Sequence, residues 1–186
     1  MKLKPFLTIL CLSALLWSSD RAVAALPDRA ERPWKARWIS SGTTPEQPNT
    51  WLNYRYTADL PALPSSVVAR IGADSKYWLW VNGRLIVFEG GLKRGPNPQD
   101  TYYDEVELAP YLVKGTNTIA VLLWYFGKPS FSHNDSGKAG LIFDCQTAYF
   151  DILSDETWKC ETNAAYGTCD KPDPNFRLAE SNIRYD

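Results

Sequence analysis

Asn82-Gly83 is the feature that most constrains this chain. It sits between two β-rich runs, residues 77–81 (YWLWV) and 84–88 (RLIVF). Both central residues of a two-residue hairpin turn need positive φ, and Asn-Gly supplies that at the lowest steric cost. The same kind of run recurs on either side: 51–57 (WLNYRYT), 67–73 (VVARIGA), 118–124 (TIAVLLW), 140–145 and 149–153, with 158–161 as a further short piece. β-branched and aromatic residues dominate these runs, and Gly, Pro and Asn punctuate them. One stretch alone suits a helical turn, residues 109–114 (APYLVK), with Pro110 early and Gly115 after its end. The pattern predicts an all-β, antiparallel β-sandwich, and nothing in it supports crossover helices.

The amino terminus reads as a secretory signal. Lys2 and Lys4 precede an apolar run over 5–17 (PFLTILCLSALLW), and Ala22-Val23-Ala24 offers the small residues of a cleavage site. A run of 13 residues is too short for a membrane span, which needs about 18. The expected organisation is a signal peptide over 1–24, a β-sandwich over 25–169 and a linker-like tail over 170–186. Export would place the chain in the periplasm or outside the cell. Losing Lys2, Lys4, Arg21 and Asp20 with the signal takes the formal charge from -1 to -3. Cys145, Cys160 and Cys169 would remain. An oxidising compartment permits a Cys160–Cys169 bridge, with three reduced thiols as the alternative.

Composition excludes several functions. The chain holds 8 Trp, 10 Tyr and 7 Phe but one His, so a mechanism needing two imidazoles and a multi-His zinc site are both excluded. No basic stripe marks it for nucleic acid. Ser132, His133 and Asp135 form no credible triad, because sequence neighbours point apart and no nucleophile elbow surrounds the serine.

Two long irregular segments, 89–100 and 127–138, carry the candidate chemistry. Saccharide recognition needs aromatic faces for the C–H side of a pyranose and fixed polar groups for its hydroxyls. Arg94, Asn97, Asp100, Tyr102, Tyr103 and Asp104 supply both around the first segment. Trp124, His133, Asn134 and Asp135 do so around the second. These segments are expected to meet at one rim as a shallow saccharide site. The alternative gives Trp124 and Tyr103 to the core and Asp104 to a cap on the turn at 108–112. Trp78 and Trp80 share one strand face, with Tyr77, Leu79 and Val81 on the other; burial is the expected fate of the tryptophan pair, a stacking platform the alternative. Calcium is the metal considered, through Asn134-Asp135-Ser136 or Pro98-Gln99-Asp100. Arg55 and Arg70, inside strands, are expected to pair with carboxylates. Asn82 and Asn117 read as turn formers.

Specific residues carry a family resemblance. Trp34-Lys35-Ala36-Arg37-Trp38-Ile39, Trp51, Arg55, Ala73-Asp74-Ser75-Lys76-Tyr77 and Val81-Asn82-Gly83 resemble the N-terminal β-sandwich domain of bacterial α-L-rhamnosidases. The likeness continues through Arg94-Gly95-Pro96, Tyr103-Asp104-Glu105-Val106 and Leu108-Ala109-Pro110-Tyr111-Leu112. It extends over Lys114-Gly115-Thr116-Asn117-Thr118-Ile119-Ala120-Val121, Asn175-Phe176-Arg177-Leu178 and Glu180-Ser181-Asn182-Ile183-Arg184-Tyr185-Asp186. The resemblance implies a galactose-binding-like jelly roll that, in the family, precedes a helical catalytic barrel. No catalytic carboxylate of that barrel maps onto this chain. What it implies is a noncatalytic carbohydrate-binding or docking module, with L-rhamnose-containing glycans and a glycoside hydrolase catalytic domain as partners. A purely structural interdomain module and a small autonomous hydrolase are the alternatives.

Overall fold

In the computed structural model the described residues are 32–42, 47–91, 102–127, 138–170 and 182–186. Their strands run in chain order as β1 (Thr50–Leu60), β2 (Val68–Asp74), β3 (Lys76–Val81), β4 (Arg84–Gly91), β5 (Asp104–Glu107), β6 (Gly115–Tyr125), β7 (Gly140–Gln146), β8 (Asp151–Leu153), β9 (Lys159–Thr162), β10 (Tyr166–Thr168) and β11 (Ile183–Tyr185). A five-stranded sheet has the order β4-β3-β6-β1-β9, a four-stranded sheet β5-β2-β7-β8, and β10 pairs with β11 alone. Every pairing is antiparallel. Among the described residues there is no α-helix, and none long and apolar enough to cross a membrane. The predicted helical turn is a 3₁₀ turn confined to Ala109–Tyr111.

The two sheets face each other over one apolar core. Strand alternation supplies it. Leu52 and Tyr54 of β1, Tyr77, Leu79 and Val81 of β3, and Ile119, Val121 and Leu123 of β6 meet Ala69 and Ile71 of β2 and Leu141, Phe143 and Cys145 of β7. Cys145 thus behaves as a small hydrophobe, and burial foremost pushes its thiol pKa up to about 12. No disulfide joins Cys160 to Cys169, so the bridge considered between them is not formed.

The outer face of the four-stranded sheet is closed by the segment before β1. Arg70 and Asp144, opposite each other on β2 and β7, form a buried ion pair at 2.9 Å. Asp144 also accepts the backbone amides of Lys35 (2.8 Å) and Ala36 (3.1 Å) and the side chain of Gln146 (2.9 Å). Arg70 donates to the Arg32 carbonyl at 2.8 Å and lies 4.3 Å from the Trp34 ring centroid. The predicted carboxylate partner for Arg70 is therefore present, and the pair anchors the amino-terminal segment across the sheet.

The hairpin forms as the turn chemistry requires, with Asn82 at φ 51° and Gly83 at φ 78°. Asn82 and Asn117 exceed the turn-forming role expected of them. Asn117 lies within β6, is buried, and accepts from the Val113 amide (2.8 Å) and from Asn82 Nδ2 (2.8 Å). Its own Nδ2 donates to the Val113 and Gly115 carbonyls, both at 2.7 Å. The β3–β4 turn and the 3₁₀ turn are thereby tied to one strand. Within the span expected as a linker-like tail, Ile183–Tyr185 pairs with Tyr166–Thr168.

Candidate functional site

The stems of the two irregular segments do adjoin. Asp74, Ser75 and Lys76 join β2 to β3 at one end of the sandwich and are buried there. Lys76 pairs with both Gly91, the end of β4, and Trp124, near the end of β6. Asp74 pairs with Gly140, the start of β7. Ser75 donates its amide to the Trp124 carbonyl (3.2 Å), and its hydroxyl accepts the Phe126 amide (3.1 Å). Asp104, the first residue of β5, accepts the Tyr77 hydroxyl and the Gly91 amide, both at 3.0 Å. Burial first, and then the Asp104 charge, holds the Tyr77 phenol well above its ordinary pKa.

The candidate residues separate on inspection of this rim. Arg94, Asn97, Asp100, His133, Asn134 and Asp135 lie outside the described residues, as do Pro98, Gln99 and Ser136 considered for calcium. Among the described residues no cluster of three or more His, Cys, Asp or Glu is placed to hold a metal. Tyr102 is exposed, and Tyr103 is half-buried with its ring edge-on to Trp34 at 5.4 Å. Asp104 braces β3 and β4 to β5; it does not cap the following turn. Glu107 serves there instead, accepting the Ala109 amide (3.0 Å) and the Val67 amide (2.7 Å). Trp124 offers no open face, being 1% exposed and stacked on Trp51 at 4.8 Å.

A concavity lies on the outer face of the five-stranded sheet, and sequence reading did not find it. It encloses about 590 Å³ and is lined across four strands by Asn53 and Arg55 of β1, Trp80 of β3, Ala120 and Leu122 of β6, and Lys159 and Glu161 of β9. Register brings them into two adjacent rows. One runs Lys159, Arg55, Ala120, Trp80; the next runs Glu161, Asn53, Leu122, Trp78. Residues directly across such a ladder leave the sheet on the same face.

Trp78 and Trp80 are half-buried on this outer face, so burial between the two sheets is corrected, while burial against a further part of a larger protein is a separate expectation. The space between the sheets is already filled by Tyr77, Leu79 and Val81. Trp80 lines the groove, while Trp78 stacks on Trp51 at 5.5 Å. Trp51 also carries Tyr166 at 4.1 Å, and Tyr185 packs against Tyr166 at 5.0 Å. Of these aromatics, Trp80, Tyr166 and Tyr185 line the groove. The other contacts are polar: Asn53 donates to Glu161 at 3.3 Å and accepts from Asn163 at 3.2 Å. Arg55, expected to pair with a carboxylate, is exposed in the groove.

The groove displays an indole face, two side-chain amides, one carboxylate and two exposed cations, with Ala120 as a low floor.

No protein-family model matches the chain, and comparison with curated proteins finds no relative. Solved structures do match. A GH78 family rhamnosidase of Bacillus sp. GL1 is similar over 73% of this chain and 14% of its own length, at 30% identity and a TM-score of 0.61. The α-L-rhamnosidase of Dictyoglumus thermophilum is similar over 70% of this chain and 17% of its own, at 21% identity and a TM-score of 0.53. That of Aspergillus terreus covers 67% and 16%, at 19% identity and a TM-score of 0.50. The chain therefore spans about one-seventh of the Bacillus enzyme. The resemblance read from residues is borne out at the level of one β-domain: an open antiparallel sandwich of the kind found within α-L-rhamnosidases.

Proposed function

We propose that this chain is a noncatalytic carbohydrate-binding module, with the saccharide lying in the groove on the five-stranded sheet. The carrying observation is the half-buried indole of Trp80 beside Asn53, Arg55, Glu161 and Asn163 around a common concavity. An indole face suits the apolar side of a pyranose, and side-chain amides and carboxylates match its hydroxyls. The likeness to a rhamnosidase domain at 30% identity makes L-rhamnose-containing glycans the first ligands to test and a glycoside hydrolase catalytic domain the natural partner. Export through the amino-terminal segment would bring such a module to polysaccharide outside the cytoplasm.

A glycan screen followed by calorimetry on the full chain tests the reading. Binding in the millimolar range corresponds to only about -4 kcal/mol, so the titration must reach high ligand concentration. Trp80→Ala should abolish it while leaving the melting temperature close to the parent's. Absence of binding to any plant or bacterial glycan would reject the proposal. Hydrolysis of a chromogenic rhamnoside by the chain alone would reject its noncatalytic part. A calcium requirement would raise the melting temperature in calcium over chelator.

A docking role is favoured by one separate observation. The edge strand β4 exposes Leu85 and Phe88, the latter 71% accessible. If that edge seats a neighbouring domain, Phe88→Ser should weaken association with a catalytic domain and leave glycan binding unchanged.

A further inference from the structure

The groove holds a pair of like charges where sheet pairing ordinarily avoids them. Arg55 of β1 and Lys159 of β9 are direct partners in the antiparallel register, so both project from the same outer face. Like charges directly opposite destabilise a sheet. Neither is engaged in an ion pair among the described residues, although each is exposed at the groove. Across the same row, Arg55 is followed by Ala120 and then Trp80. The order is ammonium, guanidinium, methyl, indole. Neighbouring strands lie about 4.8 Å apart, so the Trp80 and Arg55 backbones are separated by about 10 Å, with only a methyl side chain between them.

Glu161 is the acidic side chain of the groove. It stands one row away, two residues along β9, and its Oε1 accepts from Asn53. Two residues of strand amount to about 7 Å, which leaves the cation pair facing the Ala120 floor without an intervening carboxylate. The local charge is net positive in a chain whose formal charge is -1.

We propose that the groove selects acidic saccharides, those bearing a carboxylate or a sulfate ester, with the sugar ring against Trp80 and its anion held by Arg55 and Lys159. A guanidinium matches the two oxygens of a carboxylate with two parallel N–H donors, and the ammonium adds a second point of attraction. This rests on the saccharide reading above and narrows it to a ligand class. It also accounts for a repulsive cross-strand pair that contributes nothing to folding.

The test titrates the full chain with three oligosaccharides of equal length, one neutral, one containing uronate and one sulfated, at low and high salt. The acidic ligands should bind about five- to tenfold more tightly than the neutral one at low salt, the margin closing as salt screens the exposed charges. Arg55→Gln and Lys159→Gln should each lower acidic affinity by about two- to fivefold, more than either lowers neutral affinity. Trp80→Ala should weaken all ligands that bind. Whichever acidic ligand binds more tightly identifies the anion. Equal binding of neutral and acidic ligands, or no effect of either charge variant, would overturn the acidic preference and leave the saccharide reading standing. Failure of all three to bind would overturn both.

Discussion

Replacing Asp144 with Asn keeps the shape of a side chain on which the four-stranded sheet and the amino-terminal segment both depend. In the parent, Oδ1 accepts from Arg70 and Gln146, and Oδ2 accepts from the Lys35 and Ala36 amides. All four of these neighbours are donors. Whichever way the Asn amide is turned, its NH₂ meets two N–H groups. The substitution also removes the carboxylate charge 2.9 Å from Arg70, whose side chain is 2% accessible. Breaking one side of a buried ion pair costs about 3–5 kcal/mol. That is a large part of a typical stability of about 5–15 kcal/mol. It corresponds to a fall in melting temperature of about 6–20 °C for a domain of this size.

Acidification gives an independent readout of the same group. Burial alone raises the Asp144 pKa, but the bonds from Arg70, Gln146, Ala36 and Lys35 outweigh it and hold the group below its ordinary 3.8. A carboxyl depressed in the folded state contributes stability above its unfolded pKa and loses it as pH falls through the folded value. The parent should therefore shed this contribution below about pH 4, while Asp144→Asn has none to shed. Urea denaturation at neutral and acidic pH measures both effects. If Asp144→Asn unfolds at the parent's midpoint at pH 7, the reasoning about this ion pair is refuted.

Other outcomes follow from the core and turns. Asn117→Ala should lose about 2–3 kcal/mol, because it strands the Val113 amide and the Val113 and Gly115 carbonyls; chemical denaturation would show it. Gly90→Ala should cost about 1–3 kcal/mol, since the added methyl would stand 2.5 Å from the buried Tyr77 ring; a midpoint equal to the parent's would contradict this packing. Cys145 should resist alkylation in the native state and react once urea unfolds the chain, as mass spectrometry of the labelled peptide would record.

The parts of the fold visible in the sequence are those decided locally. The Asn82-Gly83 turn and the alternation of Tyr77, Leu79 and Val81 against Trp78 and Trp80 each follow from a few neighbouring residues. β5 escaped notice because its four residues, DEVE, are mostly charged and gain their place from pairing with β2. β10 and β11 escaped because each is three residues long and the two are separated in sequence. The continuous apolar run ending at Trp124 marked a strand but not which face covers the indole; Trp51, from a distant strand, does. The groove was illegible for the same reason. Arg55, Trp80, Ala120 and Lys159 are scattered over a hundred positions, and only the β1–β6, β3–β6 and β1–β9 registers place them in one row.

The most direct test of groove binding follows the indole N–H resonances of the ¹⁵N-tryptophan-labelled chain during titration with uronate- and L-rhamnose-containing oligosaccharides. Trp80 should shift progressively, while Trp158, buried against Phe143 and Tyr56 on the core side, should stay in place. A Trp80 resonance that remains still while a ligand binds, or shifts confined to Trp34 beside Tyr103, would contradict the account.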